Sequence, residues 1–299
     1  MDNTGEESGV GGTLIHEQQD LAAVFEEVVR RQDALRDAYD RLQRPPAQAR
    51  SVIAADNQAT NPMQLEHFIS YCIMQAVDLG RSMHSMVRAE DGTLQLPIMA
   101  LYPLVRAQIE SASMAMWVLA PPDRRTRVLR RLQAGHDELI HERALTKSAL
   151  SGRAVSEVNS LLRQEARRQK RHKAYLRAIA TANSIKPDEY ENTFPTWETV
   201  VREAGQVPKL RDDALVVVWR LASGFTHPSF RRGASVLEFS GLDSDGNVLR
   251  GTLSTKTEWM ISVVSIAGRA TGLALERWRD LKLQVNGERP VPAPVVPKR

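Results

Sequence analysis

Apolar residues recur at helical spacing along most of this 299-residue chain. Between Leu14 and Leu42 they fall three, four or seven residues apart, with charged residues between them, which predicts one long amphipathic helix. The apolar positions are Leu21, Val24, Val28, Leu35, Ala38 and Leu42. Pro45-Pro46 is then expected to end this helix. A helix with one apolar face must bury that face against other elements, so the pattern predicts a helical fold class.

The same periodicity, interrupted by proline and glycine, predicts seven further helices. Their expected ranges are 62–88, 96–119, 123–152, 153–182, 196–204, 209–226 and 257–283. The segment 235–253 instead alternates in short runs around Asp243–Asn247, which is a sequence typical of a hairpin turn. We therefore predict an all-α protein, a helical bundle of about seven helices with one small β-hairpin before the last helix.

The expected domain organisation follows from where the composition changes. Residues 1–12 are polar and glycine-rich and are predicted to be disordered, as is the proline-rich tail 285–299. Residues 13–61 are predicted to form an acidic helical extension. The helical bundle is expected to occupy 62–284, as one domain.

Charge is distributed unevenly along the chain. Residues 1–61 carry six arginines against eleven carboxylates, whereas residues 124–177 carry fifteen arginines and lysines against five carboxylates. The basic middle could attract nucleic acid or another polyanion, and the acidic N-terminal helix could mask it. The alternative is that these cations form only the solvated face of long helices.

Several protein classes are excluded or disfavoured by composition. Cys72 is the only cysteine, so an internal disulfide and a cysteine-rich zinc site are excluded, and its apolar neighbours predict a buried, inert thiol. The N-terminus lacks the basic start and apolar run of a signal peptide. No apolar run is long enough to span a membrane. We therefore expect a cytoplasmic protein without membrane partners.

An arginine and a histidine stand seven positions apart in the apolar segment 216–228. Seven residues nearly complete two helical turns, so Arg220 and His227 are predicted to share one face, which also carries Ser223. A cation beside an imidazole in apolar surroundings can hold a phosphate and move a proton. The alternative is structural: Arg220 forms a salt bridge and His227 caps the end of its helix.

A second pair of charged residues, Arg106 and Glu110, lies four positions apart within an apolar run. The two side chains are expected on one helix face. If this helix packs beside the Arg220 helix, Glu110 could orient His227 or neutralise Arg220. The alternative is an ion pair that only stabilises the bundle.

Metal and nucleotide chemistry have little support in the sequence. Glu138 and His141 have the Glu-x-x-His spacing of di-iron bundles, but such sites need a second copy that the chain lacks. The glycine-rich motifs of P-loop and Rossmann proteins and the G-x-S-x-G motif are also missing. We expect neither a metal nor a cofactor.

Arg220 and His227, placed within a helical bundle, resemble the motif of the HEPN superfamily. Those proteins are all-α, and their ribonuclease members carry an Arg-x(4–6)-His motif. Arg106-x-x-x-Glu110, Trp117 and Ser223-x-x-x-His227 together resemble bacterial helical proteins at the edge of that group. The resemblance covers roughly residues 63–281.

The resemblance implies metal-independent cleavage of RNA, in bacterial defence or a toxin–antitoxin system. His227 would take the proton from a ribose 2′-hydroxyl, which then attacks the adjacent phosphate. Arg220 would stabilise the charge on the phosphoryl oxygens, and Ser223 would donate a hydrogen bond to them. Glu110, paired with Arg106, would orient the imidazole.

The resemblance also implies a homodimer, a regulatory protein partner, and basic helices that follow the RNA backbone. The RNA-contacting residues would be Arg124, Arg127, Arg131, Arg167, Arg168, Lys170, Arg171 and Lys173. Two alternatives to a nuclease remain. One is a non-catalytic module that binds RNA or protein, and the other is a helical scaffold in which Arg220 and His227 are structural.

Overall fold

The structure of the chain is a computed structural model that describes residues 8–88, 94–151, 155–206, 210, 213–245, 248–287 and 294–295. Within these ranges the helices are α1 (Ser8–Gln43), α2 (Val52–Ala59), α3 (Leu65–Met86), α4 (Leu101–Leu119), α5 (Arg124–Leu150), α6 (Val155–Ala182), α7 (Pro187–Tyr190), α8 (Trp197–Gly205), α9 (Ala214–Phe225), α10 (Phe230–Val236) and α11 (Thr257–Leu283). The strands are β1 (Leu237–Asp245) and β2 (Val248–Thr255). The predicted mostly all-α fold with one hairpin before the last helix is confirmed.

Three helices were not predicted, and each of them is short. The helices α2, α7 and α10 have eight, four and seven residues, so none is long enough for helical periodicity to be recognised. Local capping stabilises α2, because the Ser51 hydroxyl accepts a hydrogen bond from the Ala54 amide at 3.2 Å.

The third helix begins three residues later than its sequence predicts, at Leu65 rather than residue 62. The Thr60 hydroxyl accepts a hydrogen bond from the Leu65 amide, and the Asn57 side-chain oxygen accepts one from the Glu66 amide, both at 2.9 Å. Polar side chains from the end of α2 therefore satisfy the first amides of α3 and fix where it starts.

The two strands form an antiparallel hairpin. Its register runs from Leu237 opposite Thr255 to Asp245 opposite Val248, and the two residues of the turn between them lie outside the described part of the chain. The pairing is irregular around Gly241, whose φ of +61° lies in the left-handed region that glycine adopts without strain.

The chain divides into two compact units, and each is assembled from separated segments. The first comprises Met1–Leu42, Ile73–Ser113 and Gly205–Leu275. The second comprises Gln43–Cys72, Met114–Ala204 and Glu276–Arg299. Disorder was predicted for residues 1–12 and 285–299, of which residues 1–7, 288–293 and 296–299 lie outside the described residues. For residues 8–12 and Val285 the prediction is wrong, because residues 8–12 belong to α1 and Val285 forms a β-bridge with Ser51.

The first unit has an apolar core to which α1 contributes directly. Phe25 and Val29 of α1 are buried, as are Ile109, Leu215 and Val263 from the helices of the same unit. The acidic N-terminal helix, predicted to be an extension, thus supplies part of a core rather than standing apart from it.

A buried layer of polar side chains crosses this core. The Gln108 amide nitrogen donates to the Gln32 side-chain oxygen at 2.9 Å and to the Thr271 hydroxyl at 3.1 Å. The Gln32 amide nitrogen donates to the Val264 carbonyl at 3.3 Å. Because buried polar groups are costly without partners, this layer favours one register of α1, α4 and α11 over others.

The second unit has its own core around α5 and α6. It contains Ala59, Val128, Leu132, Leu176, Ile179, Ala180, Ile185 and Tyr190. The predicted burial of Cys72 is confirmed, and this burial raises the pKa of its thiol to about 12, which disfavours the reactive thiolate. Among the helices of the described ranges, none has both the length and the hydrophobicity needed to cross a bilayer.

Candidate functional site

Both members of the predicted Arg220–His227 pair are exposed. The helix α9 ends at Phe225, and Thr226 is its C-cap, so His227 lies beyond the helix. Arg220 and His227 are therefore not separated by two turns of one continuous helix, as was predicted. Val216 and Val218, which precede Arg220 in α9, are buried, whereas the Arg220 side chain is exposed. Both side chains are thus accessible to a ligand rather than enclosed in the core.

Arg106 and Glu110 of α4 contact α9 at Trp219 and at its C-cap residue Thr226. The Arg106 Nε atom donates to Glu110 Oε1 at 2.9 Å, and the Trp219 indole donates to the same carboxylate oxygen at 2.9 Å. The Arg106 Nη1 atom donates to the Thr226 hydroxyl, also at 2.9 Å. The described partners of Glu110 are therefore Arg106 and Trp219, rather than the predicted partner His227.

Ser223 lies within this network, but its hydroxyl is already engaged. It donates to the Trp219 carbonyl at 2.7 Å, and the Thr226 hydroxyl donates in turn to the Ser223 carbonyl at 2.7 Å. A hydrogen bond from Ser223 to a bound phosphate would require its side chain to leave the Trp219 carbonyl. The network fixes the C-terminal end of α9 and so positions the segment that follows it, which begins with His227.

His227 lines a cavity of about 500 Å³. The other lining residues are Met99, Phe225, Thr226, Pro228, Ser229, Phe230, Gly233, Leu237 and Phe239. Phe225 is held by the Tyr102 ring, which stacks on it with the two ring centroids 4.3 Å apart. The cavity is therefore mostly apolar, with His227 as its titratable group.

Three of the arginines predicted to contact RNA are buried in the second unit: Arg124, Arg127 and Arg131. Arg127 is 1% exposed and pairs with the fully buried Asp56, with Arg127 Nε donating to Asp56 Oδ2 at 2.6 Å and Nη2 to Oδ1 at 3.0 Å. Its Nη1 atom donates to the carbonyls of Pro121 and Pro122. The prediction that these three arginines contact RNA is therefore wrong, because their side chains are buried inside the second unit.

The buried Arg131 lies near two other titratable groups, the half-buried His172 and the exposed Glu138. Its guanidinium lies 4.4 Å from the centre of the Phe68 ring and 3.8 Å from a Glu138 carboxylate oxygen, which is too far for a hydrogen bond. Burial lowers the pKa of Arg131 and raises that of Glu138. Burial also lowers the pKa of His172, and the positive charge of Arg131 lowers it further.

Arg130 is a third arginine of α5 that forms contacts within the protein. It packs against Trp117, one of the residues on which the family resemblance was based. The Trp117 indole and the Arg130 guanidinium both donate to the same Glu203 oxygen, at 3.1 and 2.6 Å. Arg130 also lies 4.8 Å from the centre of the Trp117 ring. Trp117 thus belongs to a structural cluster that connects α4, α5 and α8 within the second unit.

The basic residues of α6 are different, because most of them are exposed. Arg163, Arg167, Lys170 and Arg171 fall within about 100° of arc at 100° per residue, so they share one side of the helix. We call these four residues the basic face of α6. Arg168 lies at its border and is exposed as well, whereas Lys173 is half-buried.

A groove of about 710 Å³ runs along this side of α6. It is lined by Ser160, Arg163, Gln164, Arg167, Arg168 and Arg171. Arg168 is paired with Glu142 at 3.0 Å. Across the described part of the chain, no carboxylate forms an ion pair with the four residues of the basic face. Among the described residues, cations that lack an ion-pair partner are therefore concentrated on this side of α6.

Metal-ligating residues do not converge in the structure. His141, the histidine of the Glu-x-x-His motif, is exposed and its described ionic partner is Asp137 at 3.5 Å. Within the described ranges, no group of three or more histidine, cysteine or acidic side chains could hold a metal ion.

Comparison of this chain with known protein families, with curated proteins and with solved structures found no match. The resemblance to HEPN proteins therefore remains a hypothesis that depends on the residues quoted for it. The proposals on function are based on the fold and on the geometry of the candidate sites.

Sequence reasoning missed several residues that shape the candidate site. Trp219 and Thr226 are the partners that connect α9 to α4, and Phe230 and Phe239 line the cavity beside His227. Pro228 indicated that a connecting segment follows α9. Nothing in the local sequence, however, shows that Phe230 is exposed to solvent.

Proposed function

We propose that this protein binds RNA, and that the basic face of α6 is the surface that contacts the phosphates. One observation carries this proposal: Arg163, Arg167, Lys170 and Arg171 are all exposed and have no ion-pair partner within the described residues. A row of exposed cations binds a polyanion by neutralising phosphates and releasing their counterions.

The spacing of these cations argues against an ordinary solvated helix face. Arg163, Arg167 and Arg171 follow one another at intervals of four residues, where like charges lie about one turn apart and repel. Surface helices commonly relieve such repulsion with carboxylates at the same spacing. Retaining three arginines in this arrangement is understandable if a polyanion provides the compensating charge.

The test is RNA affinity as a function of salt. The triple variant Arg163→Gln, Arg167→Gln, Arg171→Gln is expected to bind a fluorescein-labelled single-stranded RNA at least tenfold more weakly at 100 mM salt. If three phosphate contacts are lost, the slope of log K against log salt should decrease by about two, at roughly 0.7 per contact. Fluorescence anisotropy measures both quantities.

A matched control separates a local site from a general effect of net charge. The triple variant Arg41→Gln, Arg44→Gln, Arg279→Gln removes the same charge from other exposed positions. It is expected to retain the affinity of the wild type within about twofold. Equal weakening by both triple variants would show that RNA responds to net charge alone, and no binding by the wild type would contradict the proposed function.

We propose, as a second function of the same protein, metal-independent RNA cleavage at His227 with Arg220 as the phosphate-binding residue. The exposure of both side chains favours it, since a reacting group must reach its substrate. His227 accepts the proton of the ribose 2′-hydroxyl, whose oxygen attacks the adjacent phosphorus, and Arg220 stabilises the charge that develops on the phosphate. The P–O5′ bond breaks, which leaves a 2′,3′-cyclic phosphate, and the departing 5′-oxygen takes a proton from solvent. The HEPN resemblance adds to this proposal a bacterial defence or toxin–antitoxin role in the cytoplasm, a homodimer and a regulatory protein partner.

Cleavage is tested by incubating purified protein with mixed RNA in EDTA. His227→Ala and Arg220→Ala are expected to abolish cleavage and to leave the unfolding temperature nearly unchanged, since both side chains are exposed. Ser223→Ala is expected to have a small effect, because its hydroxyl is committed to the Trp219 carbonyl. Cleavage by His227→Ala at the rate of the wild type would exclude the catalytic assignment.

A further inference from the structure

We propose that the basic face of α6 binds double-stranded RNA through its phosphates, without reading the base sequence. The proposal deepens the proposed function, because it specifies the class of RNA, and it depends on RNA binding being correct. It is based on the position of this face on the helix, on the side chains that line its groove and on the spacing of its cations.

The basic face lies on the side of α6 that is turned away from α5. Leu176 of α6 and Leu132 of α5 belong to the same buried core. Glu165, Gln169 and His172 are half-buried and continue the stripe of Leu176 toward the start of α6, at intervals of three or four residues. At about 100° per residue, the centre of the basic face lies roughly opposite this stripe. A rigid ligand as wide as a double helix can therefore reach the four cations without meeting α5.

The groove along the basic face offers cations and polar groups, but no ring on which a base could stack. Four of its six lining residues are arginines, the other two are Ser160 and Gln164, and none of the six is aromatic. Proteins that bind single strands commonly stack the unpaired bases on aromatic rings. Phosphates, which are the same in every sequence, are thus the groups of RNA that this groove is suited to hold.

Gln164 provides a means of distinguishing RNA from DNA. Its side chain is exposed and lines the groove among the arginines. A side-chain amide can donate a hydrogen bond to a ribose 2′-hydroxyl or accept one from it. An RNA duplex displays these hydroxyls in its wide minor groove, and DNA lacks them. We therefore expect an RNA duplex to bind more tightly than a DNA duplex of the same sequence.

The cations of the basic face form a row at fixed intervals. Arg163, Arg167 and Arg171 leave α6 about 6 Å apart along the helix axis, since each residue adds about 1.5 Å. The Nε atom of Arg163 donates to the Asn159 carbonyl at 3.1 Å, which restricts this side chain and leaves its terminal nitrogens for a phosphate. A fixed row of cations favours a ligand whose phosphates are also fixed, because a flexible single strand loses conformational entropy on binding. A duplex also carries twice as many phosphates along its axis as one strand does, so its binding releases more counterions.

Fluorescence anisotropy tests the proposal with three labelled probes of one sequence: an RNA duplex, one of its strands alone and the corresponding DNA duplex. At about 100 mM salt, the RNA duplex is expected to bind at least about fivefold more tightly than the single strand and about threefold more tightly than the DNA duplex. A second RNA duplex of unrelated sequence should bind within about twofold of the first. Denaturing gels verify that the probes stay intact.

Two triple variants of the basic face identify the contacts. Arg163→Gln, Arg167→Gln, Arg171→Gln should weaken binding of the RNA duplex at least about tenfold, because three phosphate contacts are lost. Arg163→Lys, Arg167→Lys, Arg171→Lys should retain it within about threefold, because lysine keeps the charge but lacks the guanidinium plane that can stack on bases. An equal loss in both variants would show that charge is not what the ligand recognises and would contradict the proposal. Gln164→Ala should reduce the difference between the RNA and DNA duplexes.

The matched control is the triple variant Arg41→Gln, Arg44→Gln, Arg279→Gln, which removes the same charge from exposed positions outside the basic face. It should bind the RNA duplex within about twofold of the wild type. Because every substituted side chain is exposed, none of these variants is expected to disturb folding, and circular dichroism verifies this.

The outcomes separate this inference from the proposed function. If the glutamine variant of the basic face weakens RNA binding but the single strand binds as tightly as the duplex, RNA binding stands and the preference for a duplex is rejected. A difference of more than about tenfold between the two RNA duplexes would show that bases are read and would also reject the inference. A DNA duplex bound as tightly as the RNA duplex would reject RNA as the specific ligand. If the wild type binds none of the probes, both proposals are rejected.

Discussion

Arg127 illustrates at the scale of one residue why an arginine-rich sequence does not by itself define a basic surface. Each nitrogen of its guanidinium donates a hydrogen bond inside the second unit, Nε and Nη2 to Asp56 and Nη1 to two proline carbonyls. This pairing could not be predicted, because Asp56 lies 71 residues earlier and none of its sequence neighbours indicates that it is buried. The neighbouring α6 arginines look alike in sequence and yet are exposed.

Replacing Arg127 by alanine is expected to destabilise the protein by about 3–5 kcal/mol, because a buried Asp56 carboxylate would lose its partner. Urea denaturation of the variant measures this change in the free energy of unfolding. Arg125→Ala is the control, since Arg125 pairs with Glu189 at the surface and such pairs contribute about 0–1 kcal/mol.

The double variant Arg127→Met, Asp56→Leu tests the physical reason for that loss. It removes both charges and fills the space with apolar atoms, so it should recover much of the stability that Arg127→Ala loses. A loss for Arg127→Ala as small as that for Arg125→Ala would contradict the buried ion pair.

His172 is expected to make folding sensitive to mild acid. Burial, followed by the charges of Arg131 and Arg168, lowers its pKa from the ordinary value of 6.5, while Glu142 opposes the shift. As the pH falls below about 6.5, the unfolded chain binds a proton before the folded protein does, so the free energy of unfolding decreases until the pH passes the lowered pKa.

His172→Gln removes this dependence, so its unfolding temperature should fall less than that of the wild type between pH 7.5 and 5. Thermal melts at several pH values measure the difference. His67→Gln, at an exposed position of α3, is the control for the loss of one histidine. Parallel profiles for His172→Gln and the wild type would contradict the burial of the imidazole.

At the scale of helices and strands, local sequence signals predicted most of the fold. Aspartate is a favoured N-cap residue, and the Asp123 carboxylate, directly before α5, accepts a hydrogen bond from the Thr126 amide at 2.8 Å, a bond that lowers the pKa of Asp123. The hairpin was predicted within two residues of its observed bounds. The short helices were not predicted, because four to eight residues are too few to show helical periodicity.

Two glycines four residues apart in α11 are expected to respond oppositely to alanine. At Gly268 a Cβ atom would lie 2.6 Å from the Gln32 amide nitrogen, which is buried and hydrogen-bonded and therefore has little room to move. We expect Gly268→Ala to destabilise the first unit by about 1–3 kcal/mol, through crowding and lost hydrogen bonds. Chemical denaturation measures this change.

Gly272→Ala is the matched control in the same helix. Its Cβ atom would meet Leu35 at 3.5 Å, which is an ordinary contact, so the gain in helix propensity should leave the variant as stable as the wild type or up to about 1 kcal/mol more stable. If both substitutions have the same effect, the buried polar layer does not constrain α11.

At the scale of the whole molecule, the distribution of charge in the sequence corresponds only partly to the distribution of charge on the surface. The basic middle divides into α5, whose Arg124, Arg127 and Arg131 are buried, and α6, whose basic face is exposed. The acidic α1 contributes Phe25 to a core. The sequence suggested that α1 masks the basic middle of the chain by its charge. Release of α1 would, however, also remove Phe25 from the core of the first unit.

The candidate sites show where sequence reasoning stops. Helical spacing correctly placed Arg106 beside Glu110, but the contact of Glu110 with Trp219 joins residues 109 positions apart. Exposure is equally hidden from the sequence: Arg220 lies among apolar neighbours and still faces solvent. Periodicity predicts which residues share a helix, whereas the partners and the accessibility of a side chain depend on the packing of elements far apart in the chain.

The hydrogen bond from Gln32 to the Val264 carbonyl spans 232 residues, and it has a consequence for synthesis on the ribosome. The core of the first unit needs segments from both ends of that interval, so α1 leaves the ribosome long before the helix that completes its surroundings exists. Although the protein is mostly helical, many of its contacts are distant in sequence, which is a property of slowly folding chains. The part of α1 that packs against α11 therefore stays uncovered until α11 has been synthesised, and we expect folding in cells to depend on chaperones.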